Sequence, residues 1–549
     1  MKILLAAVNA KYIHSNLAVY SLKAVTRRFE EQIEIGEYTI NQQLDEILCD
    51  IYRKQPDVVA FSCYIWNARM IGELLEELPK VLPQVKLWVG GPEVSYDAKE
   101  FLLKYPKTTG VMRGEGEKIF ENLCAYYIEE KGSLSGIRGI TFWDEQGVIF
   151  ENPAEDLVNM DSLPFAYEDL DRFKHKIIYY ESSRGCPFRC SYCLSSIDKS
   201  VRYRSLDLVK KELSCFLDAQ IPQVKFVDRT FNCHPSRTKE LWQWMIDHDN
   251  GITNFHFEVA ADLITEEELA LMSRMRPGLI QLEIGVQSTN PDTVRKIDRT
   301  MDIQKVADVV AKVKSFGNIH QHLDLIAGLP EEDLESFKRS FDDVFRMEPE
   351  QLQLGFLKVL KGAKMHQKAL EYGISYHTQP VYEVLATRWI SYTEILLLKG
   401  VEEMVEVYYN SHQFERTIQE LLKRYESPFD FFHELALYYE GKGYAKISHS
   451  RMARYDILRE FLQDKGWKEN IFDQCMVYDL YARENLKSRP VFAAELSPYK
   501  EQLKQYTREY GRQVHVEVFE QEDGPVFVMF DYRRRNPLTN EAYVEKLRG

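Results

Sequence analysis

The chain is 549 residues long and 45% hydrophobic, carries nine cysteines and has a formal net charge of -15. That length can hold two or three buried cores, and the acidic balance argues against a broadly basic nucleic-acid surface. No apolar run approaches the roughly 20 residues of a membrane span, the first residues enter a strand without a cleavable signal pattern, and the cysteines, three clustered and the rest scattered, suit the reduced cytoplasm rather than a disulfide scaffold.

Over residues 1–135, short apolar strands at 2–8, 33–38, 58–62, 86–89 and 110–112 alternate with helical periodicity at 17–29, 44–52, 68–81 and 118–127. The alternation predicts a doubly wound, Rossmann-like α/β domain, which takes ligands at the carboxyl ends of its strands. The strand-end loops hold residues 9–16, Ser62-Cys63-Tyr64, Gly90-Gly91-Pro92-Glu93 and Arg113-Gly114-Glu115-Gly116-Glu117. Read alone, such a unit is a nucleotide-binding or structural domain, because a fold does not specify its ligand.

The order of these loops resembles the cobalamin-binding domain, whose pattern is DxHxxG, SxL, GG: His14 falls on the histidine, Ser62 and Tyr64 on SxL, Gly90 and Gly91 on GG. The resemblance implies a cobalamin site built from His14, Ser62, Tyr64, Gly90, Gly91, Pro92, Glu93, Gly114 and Glu115. Tyr12 stands where the pattern has Asp, and Leu17 where it has Gly, so the carboxylate that orients a cobalt-bound imidazole is missing. Cobalamin is therefore expected without a protein histidine on cobalt, with His14 at the corrin or nucleotide edge. The two glycines are expected to let the backbone approach a bulky ligand.

Residues 136–175 read as a hairpin, with strands at 139–143 and 148–150 about a turn at 144–147, and a linker through Leu163-Pro164-Phe165. A strand at 177–183 then runs into Cys186-Pro-Phe-Arg-Cys190-Ser-Tyr192-Cys193. Three thiolates on one short loop can hold three corners of a 4Fe-4S cubane and leave the fourth iron open. The alternative from the residues alone is structural zinc completed by Cys215, Cys233 or His234. Further strands at 223–228, 255–260, 279–286, 322–326 and 351–356 are separated by helical periodicity at 206–217, 236–246, 265–275, 304–315 and 334–345. This predicts a partial or full (β/α) TIM-type barrel over residues 176–365, with its chemistry at the carboxyl ends of the strands.

The cysteine run, with Tyr192 before the last cysteine, resembles the signature loop of the radical S-adenosylmethionine (SAM) superfamily. The resemblance implies that Cys186, Cys190 and Cys193 carry a 4Fe-4S cluster whose open iron chelates SAM, and that an electron from the cluster cleaves SAM to a 5'-deoxyadenosyl radical. It places Tyr192, Glu283, Gln287 and Gly328 in the SAM site. Asp228 joins them where the usual Gly-Gly-Glu motif would stand, although the segment 226–232 departs from that motif.

Residues 366–549 read as a mostly helical accessory domain, with helical spacing in 389–409 and 414–425, dense aromatics in 429–480, and a hairpin of 513–519 with 525–531 about 521–524. Phe429, Phe431, Phe432, Tyr438 and Tyr439 are read as core, the Arg533–Arg535 run as a solvated turn, and substrate choice is assigned to this region. The whole resembles cobalamin-dependent radical SAM enzymes, which implies methyl transfer to a small metabolite and an electron donor such as flavodoxin or ferredoxin. Competing readings are radical cyclisation or rearrangement without methyl transfer, tRNA methylthiolation, which needs a nucleic-acid surface, and a non-enzymatic cobalamin sensor, against which the intact cysteine triad argues.

Overall fold

A computed structural model describes every residue except 468, 469, 512, 522, 548 and 549. Two compact units emerge: one gathers residues 1–283, 294–302 and 356–388, the other 284–293, 303–355 and 389–549.

In the first unit, β1 (Ile3–Asn9), β2 (Ile33–Thr39), β3 (Val58–Ser62), β4 (Lys86–Gly90) and β5 (Gly110–Met112) pair in parallel in the order β2-β1-β3-β4-β5. Helices α1 (Leu17–Val25), α2 (Leu44–Lys54), α3 (Ala68–Val81), α4 (Ala98–Lys104) and α5 (Gly116–Glu129) make the connections. β1 is buried along its whole length, as a strand covered on both faces must be. In α3, Ile71, Leu74, Leu75 and Leu78 recur at helical spacing and pack into one core with Val59, Phe61 and Val89. The strand order reverses between β1 and β3, and that reversal opens the crevice in which such sheets take ligands. The helix expected over 17–29 stops at Val25, where Thr26 turns its N–H and hydroxyl onto the last carbonyls. α4 had no sequence signal, being too short to display a period. The expected hairpin, β6 (Ile140–Trp143) with β7 (Ile149–Glu151), is antiparallel and extends the same sheet from β5.

The second half of this unit begins with β8 (Ile178–Tyr180). The strand expected over 177–183 breaks after Tyr180, because the Ser182 N–H and the hydroxyls of Ser182 and Ser183 turn inward to donate to Asp228. β9 (Ser183–Arg184) instead pairs antiparallel with β10 (Arg202–Tyr203). Then follow α6 (Leu206–Asp218), β11 (Gln223–Phe226), α7 (Pro235–Asp247), β12 (Asn254–Val259) and α8 (Glu266–Met272), with β8, β11 and β12 parallel neighbours. α8 opens on a capping box in which Thr265 and Glu268 satisfy each other's backbone N–H.

Within β13 (Ile280–Gln287) the chain passes to the second unit, where the alternation continues through α9 (Pro291–Lys296), whose last residues return to the first unit, α10 (Ile303–Phe316), β14 (His320–Ala327), α11 (Leu334–Phe345) and β15 (Gln351–Phe356). The chain then rejoins the first unit for α12 (Lys364–Lys368) and the small ladder of β16 (Ser375–Tyr376) with β17 (Val384–Ala386).

The rest of the second unit is α13 (Tyr392–Val405), α14 (Glu415–Leu422), α15 (Pro428–Gly441), α16 (Arg451–Asp464), α17 (Asn470–Arg483) and α18 (Lys500–Tyr510), then a sheet of β18 (Val514–Gln521), β19 (Gly524–Arg535) and β20 (Ala542–Leu547). Starts are marked by Ser391 with Glu394, by Ser427 before Pro428, and by Ser450. Phe429, Phe431, Phe432 and Tyr439 are core, as expected, but Tyr438 is only half-buried, its ring against Phe461 and its hydroxyl on Asp464. The Arg533–Arg535 run is the end of β19 rather than a turn, and Arg535 donates to the carbonyls of Arg483 and Asn540. β20 was not foreseen: among its residues only Ala542 is buried, which leaves no alternation to read. The proposed turn at 521–524 includes residue 522, outside the described residues.

Candidate functional site

A cavity of about 860 Å³ opens in the first unit at the carboxyl ends of β1, β3, β4 and β5. One wall holds Asn9, His14, Asn16, Ser62, Tyr64, Gly90, Gly91, Pro92, Met112, Gly114 and Glu115, and the facing wall holds Tyr179, Lys225, Val227, Arg229 and Glu258 from β8, β11 and β12 and the turns after them, with Arg184 from β9. Leu194 and Ser195, directly after Cys193, also line it. Ser62, Tyr64, both glycines, Pro92, Gly114, Glu115 and His14 are thus brought together as the sequence suggested.

The strand ends are held by amides. Asn16 donates to Asn9 Oδ1 and Ser62 Oγ, both at 3.2 Å, and caps α1, while Asn67 donates to the carbonyls of Val8 and Ser62. Both amides had a readable signal, each standing just before a helix, but only Asn16 uses its side chain as the cap, while Asn67 spends its amide on the strand ends. His14 Nδ1 meets the Tyr179 hydroxyl at 2.8 Å. Burial, then Lys11 and Lys225, lower the pKa of His14 and favour the neutral ring. Tyr12, in the place of the missing Asp, is turned to solvent with Lys176 Nζ 5.3 Å over its ring, so Tyr179 takes the orienting contact.

Two expectations change here. Gly91 has φ +117°, and a Cβ there would lie 2.4 Å from the Cys63 carbonyl oxygen, so the protein's own backbone demands glycine before any ligand does. A Cβ on Gly90 would meet Met112 Cε at 3.3 Å. Gly114, in contrast, has nothing within 4 Å of a built Cβ, leaving open space on the cavity side. Glu93 does not line the cavity: it is buried behind it, accepting from the Tyr382 hydroxyl, with Lys361 Nζ 3.3 Å away and shared with Asp97 at 2.7 Å. Burial pushes its carboxyl upward.

Charge on the facing wall is largely paired. Arg184 sits among Glu115, Glu117 and Glu181, and Arg202 binds Glu115 as well. Burial pushes Glu115 up, but Arg202 and Arg184 outweigh it and hold the carboxyl low. Glu283 behaves in the same way: burial opposes ionisation, yet His256 Nε2 at 3.0 Å and Lys225 Nζ at 2.8 Å keep it anionic. Arg229, by comparison, reaches its carboxylate neighbour Glu258 only at 3.9 Å.

The cysteine loop is anchored by Cys186 N–H on Asp198 O, Ser191 N–H on Ile297 O and Met365 N–H on Ser191 O. Cys186 and Cys190 are buried, Cys193 is half-buried, and all three are free thiols. Arg299 donates to Cys190 Sγ at 3.6 Å, and Cys186 Sγ lies 3.8 Å from Thr230 Oγ1. Half-buried Tyr192 packs beside them, and the loss of water around its hydroxyl raises its phenol pKa. Among the described residues no three His, Cys, Asp or Glu side chains converge on one metal-ion position. The partners that zinc would need are engaged elsewhere: Cys233 Sγ with Tyr203 at 3.2 Å, Cys215 Sγ with the Lys211 carbonyl, and His234 as the cap of α7. A cubane takes one thiolate at each of three corners, so three thiols spread on one loop beside a cation suit it.

Asp228 is corrected in role. Fully enclosed, it spends its carboxylate on the Ser182 N–H and the hydroxyls of Ser182 and Ser183, while its neighbours Val227 and Arg229 face the cavity. In the second unit, Gln287 is buried with φ 73°, and Gly328 has φ 85° just after β14.

The B12 binding domain family matches residues 3–124, the Radical SAM superfamily residues 180–344, and a family of unknown function, DUF4080, residues 370–523. An uncharacterized methyltransferase of Pyrococcus horikoshii is 24% identical over 63% of this chain and 74% of its own length. The cobalamin-dependent radical SAM methyltransferase TokK of Streptomyces tokunonensis is 23% identical over 58% of this chain, which spans half of TokK. The solved cobalamin-dependent SAM radical enzyme OxsB, with aqua-cobalamin and SAM bound, shares the fold at TM-score 0.62 and 17% identity over 87% of this chain and 78% of its own. With the first domain comes cobalamin, and with the second a 4Fe-4S cluster and SAM. Among the described residues no helix is long and apolar enough to cross a membrane. The three domains, in this order, make the chain a cobalamin-binding radical SAM enzyme that carries a DUF4080 domain.

Proposed function

We propose that this enzyme transfers a methyl group from SAM, through cobalamin, to an unreactive carbon of a small molecule. The observation that carries the reading is one cavity bounded by the B12-type strand ends, the barrel strand ends and the exit of the cysteine loop. Two of its relatives, the Pyrococcus horikoshii protein and TokK, are methyltransferases by description. When bound, the cluster supplies an electron that cleaves SAM, and cobalamin carries the transferable methyl group.

The chain's own residues supply placement. Cys186, Cys190 and Cys193 are assigned to the cluster, and Tyr192, Glu283, Gln287 and Gly328 to SAM. His14, Ser62, Tyr64, Gly90, Gly91, Pro92, Gly114 and Glu115 are assigned to the corrinoid side, with Glu93 and Asp228 supporting the walls from behind. Val227, Met112 and the stacked pair Tyr64 and Trp66, centroids 4.3 Å apart, give the cavity apolar surface that excludes water. The working division is residues 1–135 for cobalamin, 136–175 for hairpin and linker, 176–365 for the radical SAM core and 366–549 for substrate selection. Flavodoxin or ferredoxin would deliver the electron, in the cytoplasm.

The test is anaerobic incubation of protein loaded with cluster and corrinoid, using methyl-labelled SAM and an extract of native metabolites. Label in a small product is expected. Deoxyadenosine formed alongside a cyclised or desaturated product without label would replace methyl transfer by another radical reaction.

A further inference from the structure

Arg299 belongs to no motif quoted above, and its position is set by the fold. It lies in the segment 294–302 that the chain returns to the first unit, 109 residues after Cys190, and its guanidinium donates to Cys190 Sγ at 3.6 Å. One backbone hydrogen bond and one ion pair fix that distance. Ile297 O accepts from the Ser191 N–H at 2.8 Å, in the middle of the cysteine run, and Asp298 is held by Lys364 Nζ at 2.5 Å. The next residue of the same clamp, Met365, donates its N–H to Ser191 O at 2.7 Å. Arg299 is partly buried and Cys190 is 7% exposed, so water screens the pair weakly.

We propose that Arg299 sets the reduction potential of the cluster held by Cys186, Cys190 and Cys193. A cluster taking up one electron gains one negative charge, and a fixed cation with a hydrogen bond to one ligand sulfur stabilises that form over the oxidised one. The electron comes from a low-potential one-electron donor, and no bond at Arg299 forms or breaks. Arginine suits the place because its guanidinium stays charged at every working pH and its planar fork keeps its direction. The inference rests on the cysteine loop carrying a 4Fe-4S cluster, which iron and sulfide analysis of the wild-type protein tests separately.

The experiment is a redox titration of the full reconstituted chain, followed by electron paramagnetic resonance, for wild type, Arg299→Gln and Arg299→Lys, with dithionite as reductant. With about four irons retained in each, Arg299→Gln should be at least tenfold harder to reduce, a midpoint about 59 mV more negative. Arg299→Lys, which keeps the charge and loses the fork, should fall between the two. Equal midpoints in all three proteins overturn the proposal. Loss of the cluster from both variants overturns it too, making Arg299 a prop of the loop. Failure of wild type to take up iron would overturn the cluster reading instead.

Discussion

At the residue scale, the cysteine run was legible because three thiols at fixed spacing mean little except ligation. Changing Cys186, Cys190 or Cys193 to Ala is expected to remove most reconstituted iron and all SAM cleavage, whereas Cys215→Ala, on the outside of α6, should leave both intact; iron analysis and deoxyadenosine assay check this. The glycines were legible as glycines but not for their reason. Sequence reveals that a side chain is not tolerated and conceals which atom forbids it. Gly91→Ala should cost about 2–3 kcal/mol of stability from strain at positive φ, with the Cys63 carbonyl adding to it. Gly114→Ala should cost about 1 kcal/mol and weaken corrinoid binding instead, because its Cβ meets only cavity space. Denaturant unfolding and a hydroxocobalamin titration on both variants separate the two effects.

At the element scale, most helices and strands of residues 1–356 followed from periodicity, since each buries one face or both, whereas the short α4, α9, β9 and β10 carried too few residues to show a period. What sequence could not reveal is which distant element backs each loop. Glu93 read as a ligand contact because it follows Gly-Gly-Pro, yet its partner Tyr382 is 289 residues away. The segment around Lys361 and Tyr382 thus braces the loop that carries Gly90 and Gly91. Tyr382→Phe should leave Glu93 short of a donor in a buried place, at about 1–3 kcal/mol, and loosen corrinoid binding without touching the cavity. A titration showing unchanged affinity in a folded, destabilised variant would confine the contact to stability. The C-terminal sheet escaped sequence reading in part for the opposite reason: α18 has no buried residue and β20 buries only Ala542, so neither carries a pattern.

At the scale of the whole molecule, stability should depend on pH through a buried carboxyl of the second unit. Glu332, buried in the second unit, accepts from the hydroxyls of Ser288 and Ser340, and burial raises its pKa to about 7. The folded protein therefore keeps a proton that the unfolded chain releases near 4.5. Its contribution to stability is whole below that pH and is lost as pH rises toward 7, by up to about 3 kcal/mol. Glu332→Gln should flatten this slope in unfolding measured between pH 5 and 8. An unchanged slope would show that other groups cause it. The first unit has another consequence, one of time. Its cysteine loop is clamped by Ile297 and Met365, and the intervening chain leaves for the other unit and returns. On a ribosome, Ser191 is made roughly 10–35 s before Met365 at ordinary elongation rates. Through that interval the thiols are already exposed to the cell but not yet braced, so iron and sulfide delivered early meet an unshaped loop. Cluster insertion should therefore track completion of the segment through residue 365, and chains stalled before it should emerge without stable iron.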